Sequence, residues 1–122
     1  MRMFKEIYLW NRHRDNIEYC LGDEHDMLEE EVYEYYMSNS DANELKELAD
    51  IIFVATGAMV KKVGYKKAEA IMEIVINHNN MKNSKKDKNG KVTKEGVKGK
   101  AEDKINIILE QTRPQHIYKG VE

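Results

Sequence analysis

Apolar side chains recur every three or four positions along most of the chain, the period of an amphipathic helix rather than the alternation of a strand. Phe4, Ile7, Tyr8, Trp10, Ile17, Cys20 and Leu21 predict a first helix over residues 3–21, stopped by Gly22. Asp23 is the expected cap of a second helix that runs to about Met37, with Leu28, Val32, Tyr35 and Tyr36 as its apolar stripe. Residues 38–41 read as a loop, and Asp41 with Glu44 predicts a capping-box start for a third helix. That helix is apolar nearly all round between Ile51 and Val60, the pattern of an element covered on several sides, and Gly64 ends it. A fourth helix from about Lys66 carries Ala68, Ile71, Met72, Val75 and Ile76 on one face. The periodicity vanishes over residues 82–100 and returns in a short helix over 101–111, ahead of Pro114 and a tail over 113–122.

These elements predict an all-α fold: a four- to five-helix antiparallel bundle forming one domain over residues 1–122. The third helix has more apolar faces than a thin hairpin can cover, so self-association into a dimer or tetramer is expected. One proline in 122 residues agrees with long helices, and the lone Cys20 excludes an internal disulfide and a zinc site built on paired cysteines. The longest apolar run, residues 51–60, falls short of the about 20 residues that span a bilayer. The charged N-terminus does not read as a secretory leader, so a cytoplasmic protein with no membrane partner is expected.

Charge changes the picture. The formal net charge is only −2, but residues 15–50 hold 13 Asp and Glu against Lys46 alone, and residues 82–100 hold 8 Lys against Asp87 and Glu95. Within the acidic block, Glu31 and Glu34 share one helix face, and Glu47 and Asp50 share another. A hairpin turning near Ser40 brings the two pairs opposite each other. Carboxylates so gathered repel, and a hard divalent cation relieves the repulsion through oxygen ligands. A di-iron bundle is disfavoured, because the residues three before the four histidines are Trp10, Gly22, Val75 and Arg113. Lysines and asparagines of the basic block suit phosphate. No P-loop pattern is present, and the block lacks the interleaved aromatics of a nucleic-acid surface, so no nucleic-acid partner is expected.

Glu30-Glu31-Val32-Tyr33-Glu34, twelve residues, then Glu47-Leu48-Ala49-Asp50 resembles the signature of the all-α nucleoside triphosphate pyrophosphohydrolases, the MazG-like and phosphoribosyl-ATP pyrophosphohydrolase relatives. Asn80-Met81-Lys82 and Asn89-Gly90-Lys91-Val92-Thr93-Lys94 resemble a later segment of the smaller members. The resemblance covers about residues 28–100. It implies an oligomeric helical bundle and Mg²⁺-dependent cleavage, with Mn²⁺ as an alternative ion, between the α- and β-phosphates of a nucleoside triphosphate. By motif position it implies Glu31, Glu34, Glu47 and Asp50 as metal ligands, with Glu30 orienting water. It implies that Asn80 and a lysine contact substrate. Lys82-Asn83 stands where the family has Ser-Lys, so Lys82 and Lys85 are both candidates, with Lys91 beside them. Gly96-Val97-Lys98-Gly99 departs from the family's aromatic and proline ending. Trp10 is the candidate for stacking on a base. Phosphoribosyl-ATP hydrolysis and a non-enzymatic helical interaction protein are the alternative readings.

Overall fold

The computed structural model describes residues 2–83 and 85–111. Among these residues five helices form: α1 (Arg2–Arg12), α2 (Leu21–Tyr36), α3 (Asp41–Val63), α4 (Tyr65–Asn80) and α5 (Ala101–Glu110). Among the described residues there is no strand, only an isolated antiparallel bridge between Lys86 and Val92. No described helix is long and apolar enough to cross a membrane.

The first helix is shorter than its apolar spacing predicts. It closes in a local motif at Asp15, whose φ of 55° is the left-handed conformation. The Asn16 amide reaches back to Asn11 O at 2.9 Å and the Asp15 amide to Arg12 O at 3.1 Å, the paired bonds of a Schellman cap. The Asn16 side chain adds a bond to Asn11 Oδ1 at 2.7 Å. These bonds satisfy the helix end, and the apolar spacing of Ile17, Cys20 and Leu21 does not carry the helix through. Gly22 is correspondingly not a stop: it lies in the first turn of α2, where Cys20, not Asp23, is the cap residue.

Ser40, rather than Asp41, caps α3. Its Oγ accepts from the Asn43 amide at 3.1 Å, while Asn43 Oδ1 accepts from the Asn39 amide at 3.2 Å. This reciprocal pair does the work expected of a capping box. At the other end, Gly64 alone joins α3 to α4 with φ 81°, a conformation that strains any residue bearing a Cβ.

The core is built by α1, α3 and α4. Phe4, Ile7, Tyr8, Val60 and Ala68 are buried, with Phe53, Val63, Tyr65 and Met72 packed around them. Tyr8 leans on Tyr65 with ring centroids 5.5 Å apart. Helix α2 contributes nothing to that apolar cluster. It packs on α3 through Leu28 and Tyr35, both half-buried, and through its one buried residue, Glu24. Glu24 meets Lys61 while Glu31 meets Glu47 and Asp50, so α2 runs antiparallel to α3. The predicted stripe of α2 is therefore half covered: Val32 and Tyr36 are exposed. On α3, Leu45 and Ile52 are exposed as well.

Helix α5 lies against α4, with Lys67 Nζ near Gln111 O at 3.4 Å. Between them, residues 82–83 and 85–100 fold back on themselves. The Asn83, Asp87 and Thr93 amides donate to Glu95, Lys91 and Lys85 carbonyls at 2.8–2.9 Å. Asp87 Oδ1 closes the tip by accepting from the Asn89 and Lys91 amides. The expected end of the last helix at Pro114, and the tail over 113–122, lie outside the described residues.

Candidate functional site

The capped start of α3 puts Glu47 and Asp50 on the flank that faces α2. Side-chain oxygens of Glu31, Glu47 and Asp50 lie within 4.8 Å of one another. A second trio, Glu30, Glu31 and Glu34, satisfies the same limit. Glu31 belongs to both and is the hub of the cluster. Four carboxylates from two helices thus surround one half-buried side chain, Glu31. Partial burial, then the charges of Glu34, Asp50, Glu47 and Glu30, push the Glu31 carboxyl above the ordinary glutamate value.

Glu47 is the most buried member, 8% exposed. Its Oε2 accepts from Asn43 Nδ2 at 3.1 Å. Its Oε1 is buried with no hydrogen-bond partner. A buried carboxylate oxygen without a donor costs free energy, and an oxygen-seeking cation would satisfy it. The set is all carboxylate, half enclosed and free of sulfur or imidazole, which suits a hard divalent ion such as Mg²⁺ or Mn²⁺.

Lys46 supplies partial compensation. Its Nζ lies 2.8 Å from Asp50 Oδ2 and 3.8 Å from Glu47 Oε1. The hydrogen bond to Asp50 and the nearby charges of Asp50 and Glu47 hold its ammonium above the ordinary lysine value. The sequence reading counted Lys46 only as the lone base of the acidic block and did not single out Asn43. The signal for both was spacing: Lys46 precedes Asp50 by four residues and Asn43 precedes Glu47 by four, each one helical turn from a carboxylate.

The remaining sequence candidates lie elsewhere. Asn80 is the exposed last residue of α4. Lys82 is half-buried in a cleft with His78, Lys94 and Lys100 at the start of α5. Lys85 faces Glu95 at 3.6 Å, and Lys91 sits at the tip closed by Asp87. The described ion pairs join none of these lysines to the carboxylate trio. Trp10 meets Phe53 edge-on, with centroids 5.1 Å apart, and Arg14 covers one ring face at 4.3 Å. With Ile7, Ala49, Ile52 and Phe53, Trp10 lines an apolar groove between α1 and α3. Ala49 and Ile52 flank Asp50 in sequence but face α1, so the groove opens on a different flank of α3 from the trio. A further trio, His25, Asp26 and Glu29, is fully exposed, with His25 Nδ1 3.3 Å from Asp26 Oδ1. Compared with known proteins, the chain matches no family model, no curated protein and no solved structure.

Proposed function

We propose that the chain is a Mg²⁺-dependent nucleoside triphosphate pyrophosphohydrolase that releases a nucleoside monophosphate and pyrophosphate. The observation that carries the reading is the Glu31–Glu47–Asp50 trio with its buried, donorless Glu47 oxygen. Among cytoplasmic substrates for such a centre, a polyphosphate has the chemistry to share the ion, because hard cations are commonly held by a few carboxylates and substrate phosphates together. Bound there, the ion would neutralise phosphate charge and lower the pKa of a coordinated water.

The chain's own residues take separate parts. Glu31, Glu34, Glu47 and Asp50 would hold the ion, and the exposed Glu30 beside Glu31 would orient the attacking water. Asn43 fixes the Glu47 carboxylate through Oε2 and leaves Oε1, 3.8 Å from Lys46 Nζ, without a hydrogen bond. Water adds to the α-phosphorus, its proton passing to a carboxylate. The bond from that phosphorus to the bridging oxygen breaks, and pyrophosphate leaves. Lys82 and its cationic neighbours in the α4–α5 cleft have the charge to receive a phosphate tail. The Trp10 groove has an apolar lining that suits a base.

The reading includes self-association of an antiparallel helical bundle. Leu45 on α3, with Val32 and Tyr36 on α2, are large exposed apolar side chains on the two helices that carry the site. A second copy of the chain would cover them and would bring further residues toward the carboxylates.

Pyrophosphate release from a panel of NTPs and dNTPs, with Mg²⁺ and with chelator, tests the function. Release that requires the metal and disappears in Asp50→Asn, in a variant that stays folded, is the expected result. A folded wild-type protein that releases no pyrophosphate from any substrate refutes the proposal. The same panel with phosphoribosyl-ATP separates the histidine-synthesis variant of the reaction.

A further inference from the structure

Two turns along α2 from Glu31 and three along α3 from Asp50, the same interface contains a second charged contact. Lys61 Nζ lies 2.6 Å from Glu24 Oε2, and the two side chains are 3% and 5% exposed. Glu24 Oε1 is buried with no hydrogen-bond partner. A pair so enclosed is a poor choice for stability alone. Its desolvation penalty rivals the Coulombic gain, and apolar side chains of similar volume often serve as well or better. Its best-attested use is to specify register.

Glu24 is the only buried residue of α2, and its apolar contacts with α3, Leu28 and Tyr35, are half-buried. Apolar contacts tolerate sliding, whereas an ion pair at hydrogen-bonding distance does not. The spacing also directs the pair at the trio. Glu24 and Glu31 are seven residues apart, and Asp50 and Lys61 eleven, so each pair returns to nearly the same side of its helix.

We propose that the Glu24–Lys61 pair is a positioning device that sets α2 against α3 so that Glu31 stands opposite Glu47 and Asp50. The proposal rests on the reading of that trio as a divalent-cation site. A one-residue slip moves a helix by about 1.5 Å and turns it by about 100°. A Mg²⁺ or Mn²⁺ site cannot absorb that, because ligand oxygens must sit about 2.0–2.2 Å from the ion in near-octahedral array. Glu24 and Lys61 touch neither ion nor substrate, and they act through Glu31.

The test uses the full chain and Mn²⁺ alone as probe, followed by the loss of the free-ion electron paramagnetic signal, with thermal unfolding measured on the same samples. The Glu24→Leu/Lys61→Met double variant fills the space without charge. The expected result is an unfolding temperature equal to or above that of the wild type, with Mn²⁺ binding weakened about tenfold or more, the range for partners that orient metal ligands. Should that variant not fold, Glu24→Gln/Lys61→Met, closer in shape, replaces it, with the weakened Mn²⁺ binding as the expectation and some loss of stability from the unpaired buried amide. A folded double variant that binds Mn²⁺ as tightly as the wild type overturns the positioning role and leaves the metal reading standing. A wild-type protein that binds no Mn²⁺ overturns both. If neither double variant folds, the pair is a stability element only, and the proposal fails.

Discussion

Replacing Glu31 with Gln should separate the cost of the cluster from its use. The side chain keeps its size and loses its charge at the centre of four other carboxylates. Unit charges about 5 Å apart repel by roughly 0.8 kcal/mol in water-like surroundings. Glu34, Glu47 and Asp50 are the strongest of the charged neighbours acting on Glu31. Lys46 already offsets part of the field of Asp50 and Glu47, and salt screens the rest. A net relief of about 1 kcal/mol follows, which for a domain of this size raises the unfolding temperature by about 3–6 °C. The variant should therefore be more stable than the wild type in chelator, and it should lose the stabilisation that the wild type gains from Mg²⁺ or Mn²⁺. Differential scanning calorimetry with chelator and with metal reads both effects. A Glu31→Gln protein less stable than the wild type in chelator would refute the repulsion argument. One that is still stabilised by metal as strongly as the wild type would refute the assignment of Glu31 as a ligand.

Acidity gives a companion prediction: a carboxyl whose folded pKa is raised binds more protons in the native state, so its contribution to stability is present below the ordinary glutamate value and is lost as the pH rises through the raised one. The metal-free wild type should show that loss between the two values and Glu31→Gln should not, as calorimetry at a series of pH values will reveal. Lys46→Met removes the internal cation and should tighten Mn²⁺ binding several-fold, and weaker binding would mean that Lys46 supports the site instead of competing for it. Ser40→Ala should cost about 1 kcal/mol in urea unfolding, the usual value of a helix cap. Light scattering should give at least a dimer for the wild type and a smaller species for Leu45→Glu, and a monomeric wild type would remove self-association from the proposed function.

Much of the all-α architecture was legible because helical periodicity is a local property. The spacing of apolar residues along α3 and α4, and Gly64 between them, marked two long helices and their joint within a residue or two. The errors lay at helix ends, where side chains compete with the pattern. Asp15 and Asn16 terminate α1 through bonds that no apolar count registers, and Ser40 with Asn43 displaced the expected Asp41 cap. At the site, the three-residue spacings placed Glu31 with Glu34 and Glu47 with Asp50, but not the lysine and asparagine one turn earlier that hold those carboxylates.

By itself the sequence determined which side chains share a helix face, since 3.6 residues per turn lets no other arrangement form. It therefore determined that four carboxylates would stand in two pairs. Only the tertiary structure decided that Glu31 is common to two trios, that Glu47 has a buried oxygen with no donor, and that Glu24 and Lys61 meet across the α2–α3 interface. It also decided that the lysines of residues 82–100 fold back over their own turn, with no ion pair among the described residues to the carboxylate trio. These are facts of packing between segments far apart in the chain. They depend on how one helix is rotated and slid against another, which periodicity along a single helix does not encode.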